Sequence, residues 1–329
     1  MAEKILPNLY RIEIPLPKNP LKAINSYLIK ASDRNLVIDT GMNREECSSV
    51  MLSALKELDV DLHNTDFFIT HMHADHSGLV AALATVDSKV YCSRPDADVI
   101  LYTDSWEDVL KGACAHGFPE IELRTALEKH PGYKYASRGH IEFSIVKDGD
   151  SIAIGDYIFR CVGTPGHTKG HMCLYDRDKK ILVSGDHVLG DITPNISMFM
   201  TEEGNPLQEY LESLDKVYRL DVELVLPGHR NIFKDHRERI SELKKHHRDR
   251  ADEMLSILDK GSADAYTIAS KMKWDIDCPT WDQFPTPQKW FATGEAIAHL
   301  KYLEDEGKVK REVRDRINIF SVENTSGQE

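Results

Sequence analysis

The sequence predicts an α/β fold followed by a smaller, mainly helical unit, and three features carry that prediction. Short runs of apolar β-formers bounded by turn residues recur from Leu9 to about His229. Segments of 3.6-residue apolar periodicity lie between them. Beyond Lys234 the strands give way to charged, helical sequence.

In chain order, "LYRIEIPL", "INSYLIKA" and "NLVIDTG" read as strands, and "REECSSVMLSALKELDV" as a helix covering a sheet, its apolar residues spaced near i, i+3/i+4, i+7. "TDFFIT" is a short buried-type strand, "GLVAALATVDS" a helix and "KVYCS" a further strand. Residues 96–116 and 118–130 read as helices carrying Tyr102, Trp106 and Phe118, with Tyr133 and Tyr135 just beyond. They interrupt the strand pattern, so the segment 96–138 is expected to be a helical insertion and is read as a lid. Strands resume at "IEFSIVKDGD", "SIAIG", "YIFRCVGTPGH", "HMCLYD", "KILVSGD" and "VELVLPGH". The charged stretch "DHRERISELKKHHRDRADEMLSILDKG" is expected to be a long helix broken near its middle. "DAYTIASKMKW" reads as a short helix, "CPTWDQFPTPQKW" as a loop, "FATGEAIAHLKYLEDEG" as a helix and the remainder as a β-ribbon. Trp274, Trp281, Phe284 and Trp290 are read as packing between domains or between protomers. Three helices followed by a ribbon is the order of a small winged-helix unit.

Composition sets bounds. The 329 residues are 41% hydrophobic and 29% charged, with a formal net charge of −13. That balance disfavours non-specific attraction to nucleic acid or anionic membrane. Residues 244–329 hold 14 Lys and Arg against 16 Asp and Glu, so no DNA binding by a helix in a groove is expected of the C-terminal unit. Six cysteines are scattered without a CxxC pair, which fits a reducing cytoplasm. No signal peptide and no membrane helix is read from the sequence.

The chemistry concentrates in "ITHMHADHSG", where His71, His73, Asp75 and His76 stand within six positions after an apolar run. The same grammar of strand, Gly-containing turn and ligand recurs: "FRCVGTPGH" ends in His167, "KILVSGD" in Asp186 and "ELVLPGH" in His229. Several strands of a sheet can end at one edge, so these seven side chains can converge. Five imidazoles and two carboxylates suffice for two metal ions with a position left open for water or substrate. Asp39, in "VIDTG", also follows a strand and is read as an outer hydrogen-bond partner or turn residue. His116, His130, His140, His236, His246, His247 and His299 lack this setting and are read as structural.

"THMHADH", "GTPGHT", "SGDHV" and "LPGH", in that order, resemble the metallo-β-lactamase superfamily with its HxHxDH motif, over roughly residues 5–235. The resemblance implies a four-layer αββα sandwich with a dinuclear site along one edge, over residues 1–235. It implies that His71, His73 and His167 bind one ion, that Asp75, His76 and His229 bind the other, and that Asp186 bridges them. Residues 236–329 are similar to the winged-helix-like appendage of members related to β-lactamase-like protein 2.

The expected cofactors are two divalent ions, Zn²⁺ first, with Fe or Mn compatible with the same ligands. Such coordination lowers the pKa of water from about 15.7 towards about 7. The expected activity is hydrolysis of a small acyl ester, lactone or thioester by hydroxide at a dinuclear site. Asp186 and Asp75 are the expected catalytic carboxylates, with water or metal-bound Asp75 protonating the leaving group, and Asn195 is a candidate substrate contact. The alternative is a phosphodiesterase or endoribonuclease on the same metal core. A flavin-linked oxygen reductase would need a flavin domain that the sequence does not suggest. The expected partners are a small acyl substrate and a second copy of the chain, with no membrane.

Overall fold

The structure is a computed structural model that describes residues 2–101, 106–198, 204–276 and 278–323. Tyr102, one of the aromatics of the expected insertion, lies outside the described residues. The strands are β1 (Ala2–Leu6), β2 (Leu9–Pro15), β3 (Ala23–Ile29), β4 (Asn35–Ile38), β5 (Thr65–Phe68), β6 (Val90–Ser93), β7 (Phe143–Val146), β8 (Ser151–Ile154), β9 (Tyr157–Gly163), β10 (Met172–Asp176), β11 (Ile181–Gly185), β12 (Leu224–Pro227), β13 (Val309–Arg314) and β14 (Ile317–Val322). The helices are α1 (Glu45–Glu57), α2 (Ala74–Ser77), α3 (Val80–Leu83), α4 (Arg94–Leu101), α5 (Trp106–Ala115), α6 (Glu120–Lys129), α7 (Pro131–Tyr135), α8 (Pro206–Tyr218), α9 (His236–Leu258), α10 (Ala265–Lys271) and α11 (Thr286–Asp305).

The chain divides into two compact units. The first holds Met1–Thr103, Pro131–Pro194 and Glu212–Ile240; the second holds Asp104–His130, Asn195–Leu211 and Ser241–Glu329.

In the first unit, β1 to β7 form a seven-stranded sheet in sequence order, and a five-stranded sheet runs β12-β11-β10-β9-β8. The alternation of strand side chains sorts the core into two layers. From the larger sheet, Ile12, Ile14, Ile24, Leu28, Val37 and Phe67 pack with Cys47, Met51, Ala54 and Leu55 of α1. Their neighbours Tyr27, Ile29, Leu36, Ile38 and Phe68 face the other way, onto Ile152, Phe159, Leu174, Val183 and Leu226 of the smaller sheet. Burial on both faces is why these strands read as continuous apolar runs. Outside the smaller sheet, Ser213 Oγ donates to Pro165 O at 2.9 Å and Lys216 Nζ to Gly163 O at 2.6 Å, which ties this part of α8 to the end of β9. Helix, sheet, sheet, helix is the layering that the motif resemblance implied.

Strand direction decides where the loops go. β4 to β7 are mutually parallel. β9 is antiparallel to β10, and β10 to β11, while β11 and β12 are parallel. The carboxyl ends of β4 and β5 therefore share one edge of the larger sheet, and those of β9, β11 and β12 share one edge of the smaller. Residues far apart in sequence meet at such ends.

The second unit departs from the division expected at residue 235, because it also takes 104–130 and 195–211. The aromatics of the expected insertion explain the first segment: Val109, Ala113, Phe118, Leu123 and Ala126 bury against Trp290. Phe118 meets the ring of Tyr266 at 5.0 Å and that of Trp290 at 6.1 Å. Lys289 donates to Glu122 at 2.8 Å, joining α11 to α6. Trp274, Trp281 and Phe284, read from sequence as packing between domains or protomers, lie in the unit's own core beside Met254, Ile268 and Ile297.

Two expectations about helices are corrected. α9 is continuous: its buried positions, 236, 240, 243, 247, 250, 251, 254, 257 and 258, keep helical spacing throughout, and the polar His247 and Arg250 on that stripe had hidden it. α11 begins at Thr286, with Pro287 in the first turn where a missing N–H costs nothing. Within the helix expected at 96–116 the described residues form α4 and α5, and residues 102–105 lie outside the described residues. No helix among the described residues is long and apolar enough to cross a membrane.

Candidate metal centre

The seven predicted residues come together, all in the first unit. His71 and His73 follow β5, with Asp75 and His76 in the short α2; His167 follows β9, Asp186 ends the turn after β11, and His229 that after β12. One ligand atom from each of His71, His73 and His167 lies within 4.8 Å of the others, and the same holds for His71, His76 and Asp186 and for Asp75, His76 and His229. His73 Nδ1 is 3.0 Å from both His71 Nε2 and His167 Nε2. Asp186 stands among the rest: Oδ1 is 3.5 Å from His76 Nε2, and Oδ2 is 3.7 Å from His167 Nε2 and 3.4 Å from His229 Nε2. His229 Nε2 is also 3.4 Å from Asp75 Oδ2.

The turns demand glycine at two points. At Gly228 a Cβ would lie 2.5 Å from Asp186 Oδ1 and 2.7 Å from His76 Cε1, so any side chain there enters the cluster. Gly185 has φ +48°, and a Cβ would press on Thr70 Oγ1 at 2.9 Å and His171 Nε2 at 2.7 Å.

Outer hydrogen bonds fix the imidazoles. Asp39, buried and itself in the left-handed region at φ 58°, accepts from His76 Nδ1 at 2.7 Å. Its carboxylate also accepts from the Thr70 backbone N–H and hydroxyl, each at 2.8 Å. Because the Thr70 hydroxyl proton goes to Asp39, Thr70 Oγ1 accepts from His71 Nδ1 at 3.0 Å. One carboxylate thus sets two tautomers, and the Nε2 lone pairs of His71 and His76 face the cluster. His229 reaches the same state by donating Nδ1–H to Ala23 O at 2.8 Å. The outer role read for Asp39 in the sequence is its place in the fold.

Two residues here left no mark in the sequence. His171 Nε2 accepts the Asp186 backbone N–H at 3.2 Å, while its Nδ1 donates to Thr164 Oγ1 at 2.7 Å. Asp96, at the start of α4, accepts from Met72 N, Thr168 Oγ1 and Gly170 N at 2.9, 2.6 and 2.8 Å. Burial pushes its carboxyl up to about 6 against those three donors. A lone aspartate in "SRPDADV" carries no local signal of either contact. Asn195, expected at the substrate, is grouped with the second unit, where its amide donates to Phe291 O and Glu295 Oε2, both at 3.4 Å.

The electrostatics suit cations. Burial and the neighbouring imidazoles hold His71 well below its usual range, and burial with His167 pushes His73 down to about 3. Burial opposes charge on His229 too, but Asp186 and Asp75 outweigh it and carry His229 to about 10. Burial likewise opposes ionisation of Asp186, and His229 and His76 hold it well below the carboxylate range. His76 Nε2, His229 Nε2 and Asp186 Oδ1 are buried without a hydrogen-bond partner. Buried polar atoms are satisfied as a rule, so unpartnered ligand atoms converging from three loops fit divalent metal.

Comparison with known proteins agrees. Residues 20–229 match the metallo-beta-lactamase superfamily, and residues 282–323 match the metallo-beta-lactamase-like C-terminal domain. Over 220 residues the chain is 28% identical to the human acyl-coenzyme A thioesterase MBLAC2, covering 64% of this chain and 74% of that one. It is 24% identical over 249 residues to the atrochrysone carboxyl ACP thioesterase of Aspergillus fumigatus, covering 72% of this chain but only 64% of that enzyme. A metallo-beta-lactamase family protein from Thermus thermophilus superposes with a TM-score of 0.83 at 26% identity, over 97% of this chain and all (100%) of that one. With a family match across residues 20–229 and that family's ligand motifs converged at the strand ends, the chain belongs to the metallo-beta-lactamase superfamily.

Proposed function

We propose that this chain is a zinc-dependent hydrolase of acyl thioesters. The observation that carries the reading is the convergence of five imidazoles on two carboxylates, with three ligand atoms buried and otherwise unpartnered. His71, His73 and His167 would hold one ion, Asp75, His76 and His229 a second, and Asp186 would stand between them. Nitrogen and oxygen ligands of this kind suit zinc. When bound, such ions supply Lewis acidity and make water acidic enough to ionise near neutral pH.

The protein's own groups do the rest. Asp39, directly or through Thr70, and Ala23 O hold the Nδ1 side of three imidazoles, so their Nε2 atoms face inward without the rings having to turn. Asp75, more exposed than Asp186, would pass the proton released by the attacking water to the departing sulfur. A thiolate has a conjugate-acid pKa of about 8.5, so it leaves with little help; a thioester therefore suits a site whose carboxylates are held ionised by the buried imidazoles beside them. The relatives named as thioesterases favour the same class over phosphodiesters. The six cysteines are free thiols, which suits a reducing cytoplasm.

Steady-state kinetics of zinc-reconstituted protein on acyl-coenzyme A, a simple lactone and bis(p-nitrophenyl) phosphate tests this. The expected result is a kcat/KM for the thioester orders of magnitude above that for the phosphodiester. The reverse ranking would replace the reading with a phosphodiesterase.

A further inference from the structure

We propose that Asp96 is a positioning residue that locks the three-histidine half of the metal cluster by clamping its two loops together. The inference rests on the ligand assignment proposed above. The three histidines come from two loops: His71 and His73 follow β5, and His167 follows β9 in the other sheet. A single carboxylate, 1% exposed, receives a donor from each loop. The backbone N–H of Met72, between His71 and His73, donates to Oδ2 at 2.9 Å. The hydroxyl of Thr168, beside His167, donates to the same oxygen at 2.6 Å. Gly170 N donates to Oδ1 at 2.8 Å. The fit is close, since a Cβ on Gly170 would lie 2.5 Å from Asp96 Oδ1 and 2.2 Å from Ser93 Oγ.

The clamp needs a carboxylate. Both oxygens act only as acceptors, and all three partners donate. An amide at position 96 would set an N–H against at least one of those donors, and alanine would leave all three unsatisfied in a buried place. His76 and His229 are held by other means: Asp39 accepts from His76, and Ala23 O accepts from His229. Loss of Asp96 is therefore expected to act on one half of the site. Outer-shell partners of metal ligands are typically worth about 10–100-fold in metal affinity, and the expected loss for the three-histidine half lies in that range.

The test is zinc stoichiometry and affinity, by elemental analysis and chelator competition, on the full chain and on Asp96→Ala. The expected result is two ions on the natural protein, with one of them weakened by about 10–100-fold in the variant. Adding His167→Ala to Asp96→Ala should leave the remaining ion in place, whereas adding His229→Ala should remove it. Two ions of unchanged affinity in Asp96→Ala, or equal weakening of both, would overturn the proposal. Fewer than two ions on the natural protein would instead overturn the ligand assignment itself. If Asp96→Ala does not fold, Thr168→Val decides, because it removes one donor and leaves the carboxylate in place. Selective weakening of one ion supports the clamp, and unchanged affinity refutes it.

Discussion

Each unit buries a group of histidines, and the two groups differ in what surrounds them. In the first unit, five imidazoles gather with the carboxylates of Asp75 and Asp186. In the second, His247 Nδ1 meets His299 Nε2 at 3.1 Å, and His299 Nδ1 donates to Glu295 O at 2.8 Å. The nearby carboxylate of Glu295 is taken by Arg250 at 3.2 Å, and Arg250 also lies over the Trp274 ring at 3.9 Å. Among the described residues, every group of three or more metal-capable ligand atoms belongs to the first unit. Burial drives His247 and His299 down, His299 to about 4, whereas carboxylates carry His229 up to about 10. Buried histidine alone therefore says little; histidine converging on unclaimed carboxylate at strand ends is what marks chemistry.

Substitutions can sharpen or break that contrast. The largest effect is expected from Asp186→Ala, which removes the carboxylate between the two ligand groups. Thioester kcat/KM should fall by about 10³-fold or more, with far-ultraviolet circular dichroism unchanged. Activity within tenfold of the natural protein would remove Asp186 from the machinery. In the second unit Glu295→Ala should act on stability and not on zinc content. It leaves Arg250, 8% exposed, without its buried partner. Arg250 keeps bonds to Glu253 and Lys273 O, so the cost is expected at the low end for a broken buried pair, about 3 kcal/mol. Chemical denaturation measures it, and a loss of bound zinc in this variant would blur the contrast.

Gly228→Ala comes next. Its methyl would press on Asp186 and His76, and a displacement approaching 1 Å is worth about 10²-fold in rate. Unaltered kinetics would show that the turn yields without moving the ligands. The smallest effect is one of pH. His299 titrates near 4 when folded, below the ordinary 6.5, because burial disfavours its charge. Acidification therefore protonates the unfolded chain first. The second unit should keep full stability above about pH 6.5 and lose it as the pH falls towards 4, by about 2 kcal/mol at pH 5 from this residue. Unfolding followed by the fluorescence of Trp274, Trp281 and Trp290 from pH 7 to 5 should show the loss, and His299→Leu should reduce it.

The metal cluster was legible because its signals are local. Each ligand follows an apolar strand, His167, Asp186 and His229 after a glycine-containing turn; a Cβ at Gly228 would press on Asp186 and His76, and one at Gly185 on Thr70 and His171. The sheets were legible for the same reason, since alternation and burial leave their period in the sequence. What escaped depends on contacts distant in sequence. Asp96 is one carboxylate among many until Met72 and Thr168 fold onto it, and His171 gains its role only when β10 lies beside β11. The grouping of α5 and α6 with the second unit was not legible because their apolar faces find Trp290 across more than 160 residues of chain. α8 was not anticipated at all, although Leu207, Tyr210, Leu214 and Val217 hold helical spacing and are buried.

The central claim is that the seven residues form one two-ion site. Equilibrium dialysis of the metal-free chain against zinc, read by elemental analysis, measures it most directly. The account predicts two ions per chain for the natural protein and fewer for Asp186→Ala; saturation at one ion or none would contradict it.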